Sequence, residues 1–199
     1  MQRNLLQTGF FAEIEKSLED QTTLEDNWKA MESCVKLGLT RSIGLSNYNS
    51  QQIERILKVA QIKPVTNQVE CHPYLNQKEL ISFCKEREII LTAYAPLCSP
   101  SKSWSQDKPK LLEDPRLLKL SERHGKSTAQ IVLRYLYQLG TVPIPKSSNE
   151  KRLKENINIF DFNLSSEDMK ILDSLNENTR EFLFLGAKKH KEYPFTIPF

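Results

Sequence analysis

Four short apolar runs, each closed by polar residues and followed by a helical period, set the strongest limit on how this chain folds. Arg41-Ser42-Ile43-Gly44-Leu45 runs into Ser46-Asn47-Tyr48-Asn49, and Pro64-Val65-Thr66-Asn67-Gln68-Val69-Glu70-Cys71 closes on His72-Pro73. Ile89-Ile90-Leu91-Thr92-Ala93-Tyr94 stops at Ala95-Pro96, and Thr141-Val142-Pro143-Ile144 leads into Pro145-Lys146-Ser147. Strands nearly continuous in apolar residues and alternating with helices predict a parallel sheet covered by helices, an α/β fold. The polar residues gather at the C-terminal strand ends, where barrels and open α/β sheets keep their sites. No strand is followed by GxGxxG, so the Rossmann fingerprint is absent and a barrel is the better reading.

The helices announce themselves by caps and stripes. Leu24, Trp28, Met31 and Val35 fall at steps of three and four and stop at Gly38, which predicts one buried stripe with Trp28 as a core anchor. Asn49 or Ser50, with Gln52 behind, opens a helix buried through Ile53, Ile56, Leu57 and Ala60. Asn76 with Glu79, Ser127 with Gln130 and Ser165 with Asp168 have capping-box spacing. A further helix is expected near residues 115–123, and the Ser127 helix carries Ile131, Val132, Tyr135, Leu136 and Leu139 before Gly140. Residues 1–22 keep no period and read as a loosely held leader. The long loop from Cys98 to about Asp114, rich in Ser, Lys and Pro, is of a length that is usually functional or mobile.

Composition excludes several classes. With 199 residues and a net charge of +3 spread among interleaved acidic residues, a real core is affordable and a nucleic-acid footprint is not expected. No apolar run approaches a membrane span and residues 1–11 lack a signal-peptide pattern, so no membrane role is expected and the cytoplasm is the default location. Cys34, Cys71, Cys84 and Cys98 have no CxxC spacing and read as reduced thiols. Cys71 and His72 are adjacent on a strand and point to opposite faces, so no metal site is expected. His72 reads as a packing residue beside Pro73, and His124 and His190 as exposed.

The segment after the fourth run concentrates the chemistry. Lys146 and Ser147 precede a helix start that carries Arg152, placing two cations, a hydroxyl and free backbone N–H groups together. Arg offers a planar fork and Lys a point charge, so a phosphate suits the pair better than a carboxylate. A solvated basic helix start is the alternative.

These residues also carry a resemblance. Ile144-Pro145-Lys146-Ser147 followed by Arg152 and Glu155-Asn156, Trp28-Lys29-Ala30-Met31-Glu32, Gly44-Leu45-Ser46-Asn47-Tyr48, Asn67-Gln68-Val69-Glu70-Cys71-His72-Pro73-Tyr74 and Ala93-Tyr94-Ala95-Pro96-Leu97 together resemble the C-terminal half of the aldo-keto reductases, in particular the aldose reductase-like members. The likeness runs over residues 24–199 and leaves residues 1–23 unmatched. It implies part of a (β/α)8 TIM barrel, namely the last four strand-helix units and the C-terminal loop, and NADPH as cofactor. Ser46, Asn47 and Gln68 would then hold the nicotinamide carboxamide and Tyr94 would stack on its ring. Residues 95–99, among them Ala95, Leu97 and Ser99, would drape over the pyrophosphate. Lys146 and Arg152, helped by Ser147 and Asn149, would hold the 2′-phosphate, and Glu155 and Asn156 would meet the adenine. Amides read an amide, a ring packs on a ring, and paired cations select a phosphate. Phe182 and Phe184, with Tyr193, would wall an apolar substrate pocket.

There are departures. The family usually has a hydroxyl where this chain has Ala95, often a glycine at Cys98, and commonly an apolar residue at Ser148. A full barrel takes about 250 residues, and the family's catalytic Asp, Tyr, Lys and His come from its first half, so the resemblance assigns no catalytic residue here. The expectation is an NADPH-dependent reductase of a small-molecule carbonyl substrate by family, in truncated form with little or no turnover. The alternative is a non-catalytic half-barrel serving as a binding or interaction module. Four strands laid open leave two edges and an uncovered face, so self-association through the barrel edges is expected.

Overall fold

A computed structural model describes residues 22–98, 110–197 and 199. The leader reading for residues 1–21, the middle of the long loop and Ser99 lie outside the described residues. What is described is α/β, with seven helices and one four-stranded parallel sheet among the described residues. The strands are β1 (Leu45–Ser46), β2 (Thr66–Glu70), β3 (Ile90–Tyr94) and β4 (Val142–Pro143), in spatial order β1-β2-β3-β4. The helices are α1 (Leu24–Lys36), α2 (Ser50–Val59), α3 (Lys78–Glu86), α4 (Pro115–His124), α5 (Thr128–Gln138), α6 (Glu150–Ile157) and α7 (Ser166–Asp173). They fall into two compact units. One gathers the described part of Met1–Ile43 with Tyr48–Lys63 and Phe182–Phe199; the other holds Gly44–Asn47 and Pro64–Glu181.

In the larger unit the pleat sorts residues onto two faces. Leu45, Asn67 and Leu91 lie in register, as do Val69 and Ala93, and all five are buried. That face is the core, with α3 packed on β3 and α5 on β4. The opposite face carries Thr66, Gln68, Ile90, Thr92 and Val142, each half-buried or exposed, and ends on β2 at the fully buried Glu70. Its apolar members Ile90, Val142 and Ile144 are 52, 48 and 43% exposed. On it Thr66 Oγ1 and Thr92 Oγ1 pair with each other at 2.7 Å. β1 approaches β2 closely enough that Gly44 is required. A Cβ there would stand 2.5 Å from Thr66 Cγ2 and 2.9 Å from the Thr66 carbonyl oxygen. At the other edge the Ile144 N–H donates to the Ala93 carbonyl at 3.0 Å, so the alternate positions Pro143 and Pro145 face away from β3.

The helix starts follow the capping reading with one exception. Ser127 with Gln130 and Ser165 with Asp168 form capping boxes opening α5 and α7. α3 does not use Asn76 and Glu79. It begins at Lys78 behind Gln77, which sits in the left-handed region at φ 53° with no side-chain cap. The Asn76 side chain turns instead to the loop, reaching the Lys78 N–H at a long 3.4 Å, while the Asn76 N–H donates to Asn176 Oδ1 at 3.1 Å. His124 is not exposed as expected. It is half-buried and bonds Asp168 Oδ2 at 2.9 Å, and Arg123 holds the other carboxylate oxygen at 2.5 Å. Asp168 thereby ties the start of α7 to the end of α4.

The smaller unit is held by polar contacts as much as by its core. Asn49 and Gln52 form the capping box of α2, whose Ile53 and Ile56 are fully buried. α1 buries Trp28 but exposes Met31; Glu32 is buried in place of Met31 because its Oε1 accepts the Gln61 and Ile62 N–H groups at 2.7 and 2.9 Å. Trp28 Nε1 donates to the Ile62 carbonyl on the same loop. The tail is fastened to α2. Arg55 forks onto Glu25 at 2.8 Å and onto Glu192 at 2.7 Å, and Gln52, Asn49 and Ser50 donate to the carbonyls of Glu192, Pro194 and Phe199.

Candidate functional site

The polar residues that end the strands of the larger unit come together. Ser46 and Gln68 are register partners, and Tyr94 is the partner of Glu70 one strand over. Ser46 Oγ and the Asn47 N–H both donate to the Gln68 carbonyl, at 3.1 and 2.9 Å. Those bonds hold Asn47 at φ 58°, a conformation that Asn tolerates better than most residues. Asn47 Oδ1 is buried and has no hydrogen-bond partner among the described residues. A buried acceptor left without a donor is costly, and it marks the place where an N–H from outside the chain is expected. Burial first, and then the Glu70 carboxylate, push the Tyr94 hydroxyl up to about 12, so the ring stays neutral and presents a half-buried flat surface.

A cleft of about 600 Å³ opens in the same unit, past the ends of β3 and β4. Of the residues singled out from the sequence, Ala95, Leu97, Lys146, Ser147, Arg152, Glu155 and Asn156 line it. Asn149 does not; its Oδ1 accepts the Arg152 N–H at 3.0 Å and so starts α6. The electrostatics of α6 separate structural from available charge. Lys154 pairs with Glu150 at 2.8 Å and Lys151 with Glu155 at 3.9 Å, one helical turn apart in each case. Lys146 and Arg152 have no ion-pair partner among the described residues, and both are exposed to the cleft. Two cations without ion-pair partners among the described residues, the Ser147 hydroxyl and the first-turn N–H groups that Asn149 leaves uncapped give this part of the cleft a positive character.

Comparison with known proteins bears on most of the chain. Residues 4–177 match the sequence profile of the Aldo/keto reductase family. The chain belongs to the aldo/keto reductase family. It is 48% identical over 184 residues to aldo-keto reductase family 1 member C15 of Rattus norvegicus, covering 90% of this chain and 57% of that protein. It is 48% identical over 185 residues to prostaglandin F synthase 2 of Bos taurus, covering 91% of this chain and 57% of the relative. Estradiol 17 beta-dehydrogenase 5 of Mus musculus is 47% identical over 184 residues, with 90 and 57% covered. The chain therefore spans a little over half the length of the curated relatives it matches. The profile begins at residue 4, upstream of the Trp28 motif.

In this aldo/keto reductase chain the departure at Cys98 has a visible consequence. Ala95 and Cys98 both adopt positive φ, 47° and 58°, and the Cys98 N–H closes a turn onto the Ala95 carbonyl at 2.9 Å. Glycine meets that demand at no steric cost, whereas a side chain there costs about 1 kcal/mol. The turn is kept nonetheless, because Cys98 is buried. The cleft also has members that motif reading missed: Ser127, Thr128 and Ala129, at the start of α5. The Ser127 capping box fixes a helix N-terminus, but its spatial approach to Lys146 follows only from β4 lying beside β3. Phe182 and Phe184 belong to the smaller unit, where Phe184 is 51% exposed and stacks on Phe195 at 6.2 Å between centroids. His72 is fully buried and bonded to Glu70, which fits the packing reading. No group of three or more His, Cys, Asp or Glu able to hold a metal occurs among the described residues. No described helix is long and apolar enough to cross a membrane.

Proposed function

We propose that this chain is the NADPH-gripping part of a cytoplasmic aldo-keto reductase, its sheet forming four strands of a (β/α)8 barrel. The reading rests above all on Lys146 and Arg152, two cations left without ion-pair partners at the mouth of one cleft while their neighbours on α6 are neutralised. A 2′-phosphate would take both, with Ser147 donating and Asn149 holding the helix start; Glu155 and Asn156 would receive the adenine. Ala95 and Leu97 would lie along the pyrophosphate, joined by Ser99. At the other end, Asn47 Oδ1 is an acceptor awaiting the N–H of a carboxamide, Ser46 and Gln68 stand beside it, and Tyr94 offers its ring. Bound NADPH supplies the hydride in this chemistry, and the chain's residues fix which face of the ring is open. Phe182 and Phe184 are proposed to meet the carbonyl substrate. The family's catalytic Asp, Tyr, Lys and His match no position assigned in this chain, so turnover alone is expected to be slight.

Titration of the purified chain by nicotinamide fluorescence tests this. The expected result is saturable NADPH binding at least about tenfold tighter than NADH, a difference of about 1.4 kcal/mol. Equal affinity for the two would remove the role given to Lys146 and Arg152. A second reading, a half-barrel that associates, is favoured by the open face with Ile90, Val142 and Ile144, since parallel sheets are ordinarily covered on both sides. Light scattering separates the two: a concentration-dependent dimer that binds no NADPH supports the module alone.

A further inference from the structure

Glu70 is a fully buried carboxylate that the cofactor reading does not use. It stands on the same face of β2 as Gln68, two residues on, and in register with Tyr94 of β3. Its backbone carbonyl and one carboxylate oxygen are both tied. Its carbonyl accepts Gln77 Nε2 at 2.9 Å, and the next residue, Cys71, donates its N–H to the Tyr94 carbonyl at 3.2 Å. Its Oε1 takes two donors: His72 Nε2 at 3.0 Å and the Glu181 backbone N–H at 2.7 Å. A buried carboxylate must be satisfied by such donors, because an unpaired buried charge is far more costly than a surface one. The donor from Glu181 is distant in sequence, 111 residues away, and the chain continues from it directly into Phe182.

We infer that Glu70 is a positioning residue that couples occupancy of the cofactor site at Gln68 and Tyr94 to the order of the tail beginning at Glu181. The inference rests on the NADPH reading proposed above. A ring stacked on Tyr94 and an amide held at Gln68 restrict the ends of β3 and β2. Glu70, between them in the sheet, is restricted with them, and its Oε1 passes the restriction to the Glu181 N–H. The tail that carries Phe182 and Phe184 is thus steadied when cofactor is bound, by a charge-assisted hydrogen bond of the stronger kind.

Hydrogen exchange of the intact chain with and without saturating NADPH tests the coupling, with NADPH affinity measured in parallel. In the unmodified chain, NADPH is expected to slow exchange at residues 181–184 by about tenfold, within the usual span of coupling between sites. Glu70→Leu removes both acceptor bonds and should abolish that slowing. Glu70→Gln keeps an oxygen where Oε1 stands and should restore most of it, a rescue that loss of packing alone would not give. By linkage, the fold loss of NADPH affinity in Glu70→Leu should match the fold loss of protection. If Glu70→Leu does not fold, Glu70→Leu combined with His72→Leu removes both buried polar partners and carries the same expectation. Binding of NADPH with no slowing at residues 181–184, or with equal slowing in the Leu variants, overturns the inference alone. Failure of the unmodified chain to bind NADPH overturns the cofactor reading and the inference together.

Discussion

Arg152→Ala isolates the charge selectivity of the cleft. The guanidinium lies in the first turn of α6, exposed, with no ion pair among the described residues; the Asn149 cap uses only its backbone N–H, which alanine retains. The substitution therefore removes a cation without orphaning a partner, and stability should change by less than about 0.5 kcal/mol, as for surface positions generally. A hydrogen bond to a charged group contributes about 1.5–3 kcal/mol. NADPH should accordingly bind about 10- to 150-fold more weakly. NADH, which has a hydroxyl where NADPH has the 2′-phosphate, should lose less than about twofold. Fluorescence titration of both cofactors at fixed salt gives the ratio directly. Raising salt should narrow the gap between parent and variant, because the contact is exposed and screened. An equal loss for NADH and NADPH would refute the argument, as would an unchanged NADPH affinity.

Other consequences concern the scaffold. Burial alone would raise the Asp168 carboxyl, but the Ser165 N–H, His124 and the Ser165 hydroxyl outweigh it and hold Asp168 below the usual range. A depressed folded-state value means that this stabilisation is complete above the unfolded value, about 3.9, and is lost as pH falls through the lower folded one; Asp168→Asn should flatten that acid limb of a melting-temperature profile. Gly44→Ala forces a Cβ against the Thr66 backbone oxygen as well as its methyl, so unfolding in urea should show a loss of about 1–3 kcal/mol that Thr66→Ser only partly recovers. Glu32→Ala strips the acceptor from the Gln61 and Ile62 N–H groups, and a cost of about 2–4 kcal/mol is expected by the same measurement.

Much of the local structure was legible because its causes are local. Three N-terminal boxes, at Asn49, Ser127 and Ser165, form where side-chain spacing alone places an acceptor against a free N–H. Asn76 fails by the same logic: its neighbour Gln77 takes a left-handed turn, and the partner of the Asn76 N–H is Asn176, a hundred residues on. Apolar period placed Met31 inside α1, yet Glu32 is the buried residue, because two N–H groups from a distant loop need an acceptor. That Lys146, Ser147 and Arg152 line one cleft was readable, since those residues are close in sequence. That α5 contributes Ser127, Thr128 and Ala129 to the same cleft depends on strand order, and strand order is a tertiary property.

The prolines of β4 bear on what such a sheet can become. Since Ile144 spends its N–H on β3 and the residues facing outward are Pro143 and Pro145, that border offers oxygen but no hydrogen. A strand arriving there would find half a ladder. Runaway stacking of the kind that builds fibrils needs a two-way ladder at every layer, so this margin acts as a built-in stop: misassembly on this side should end at small soluble species rather than fibres.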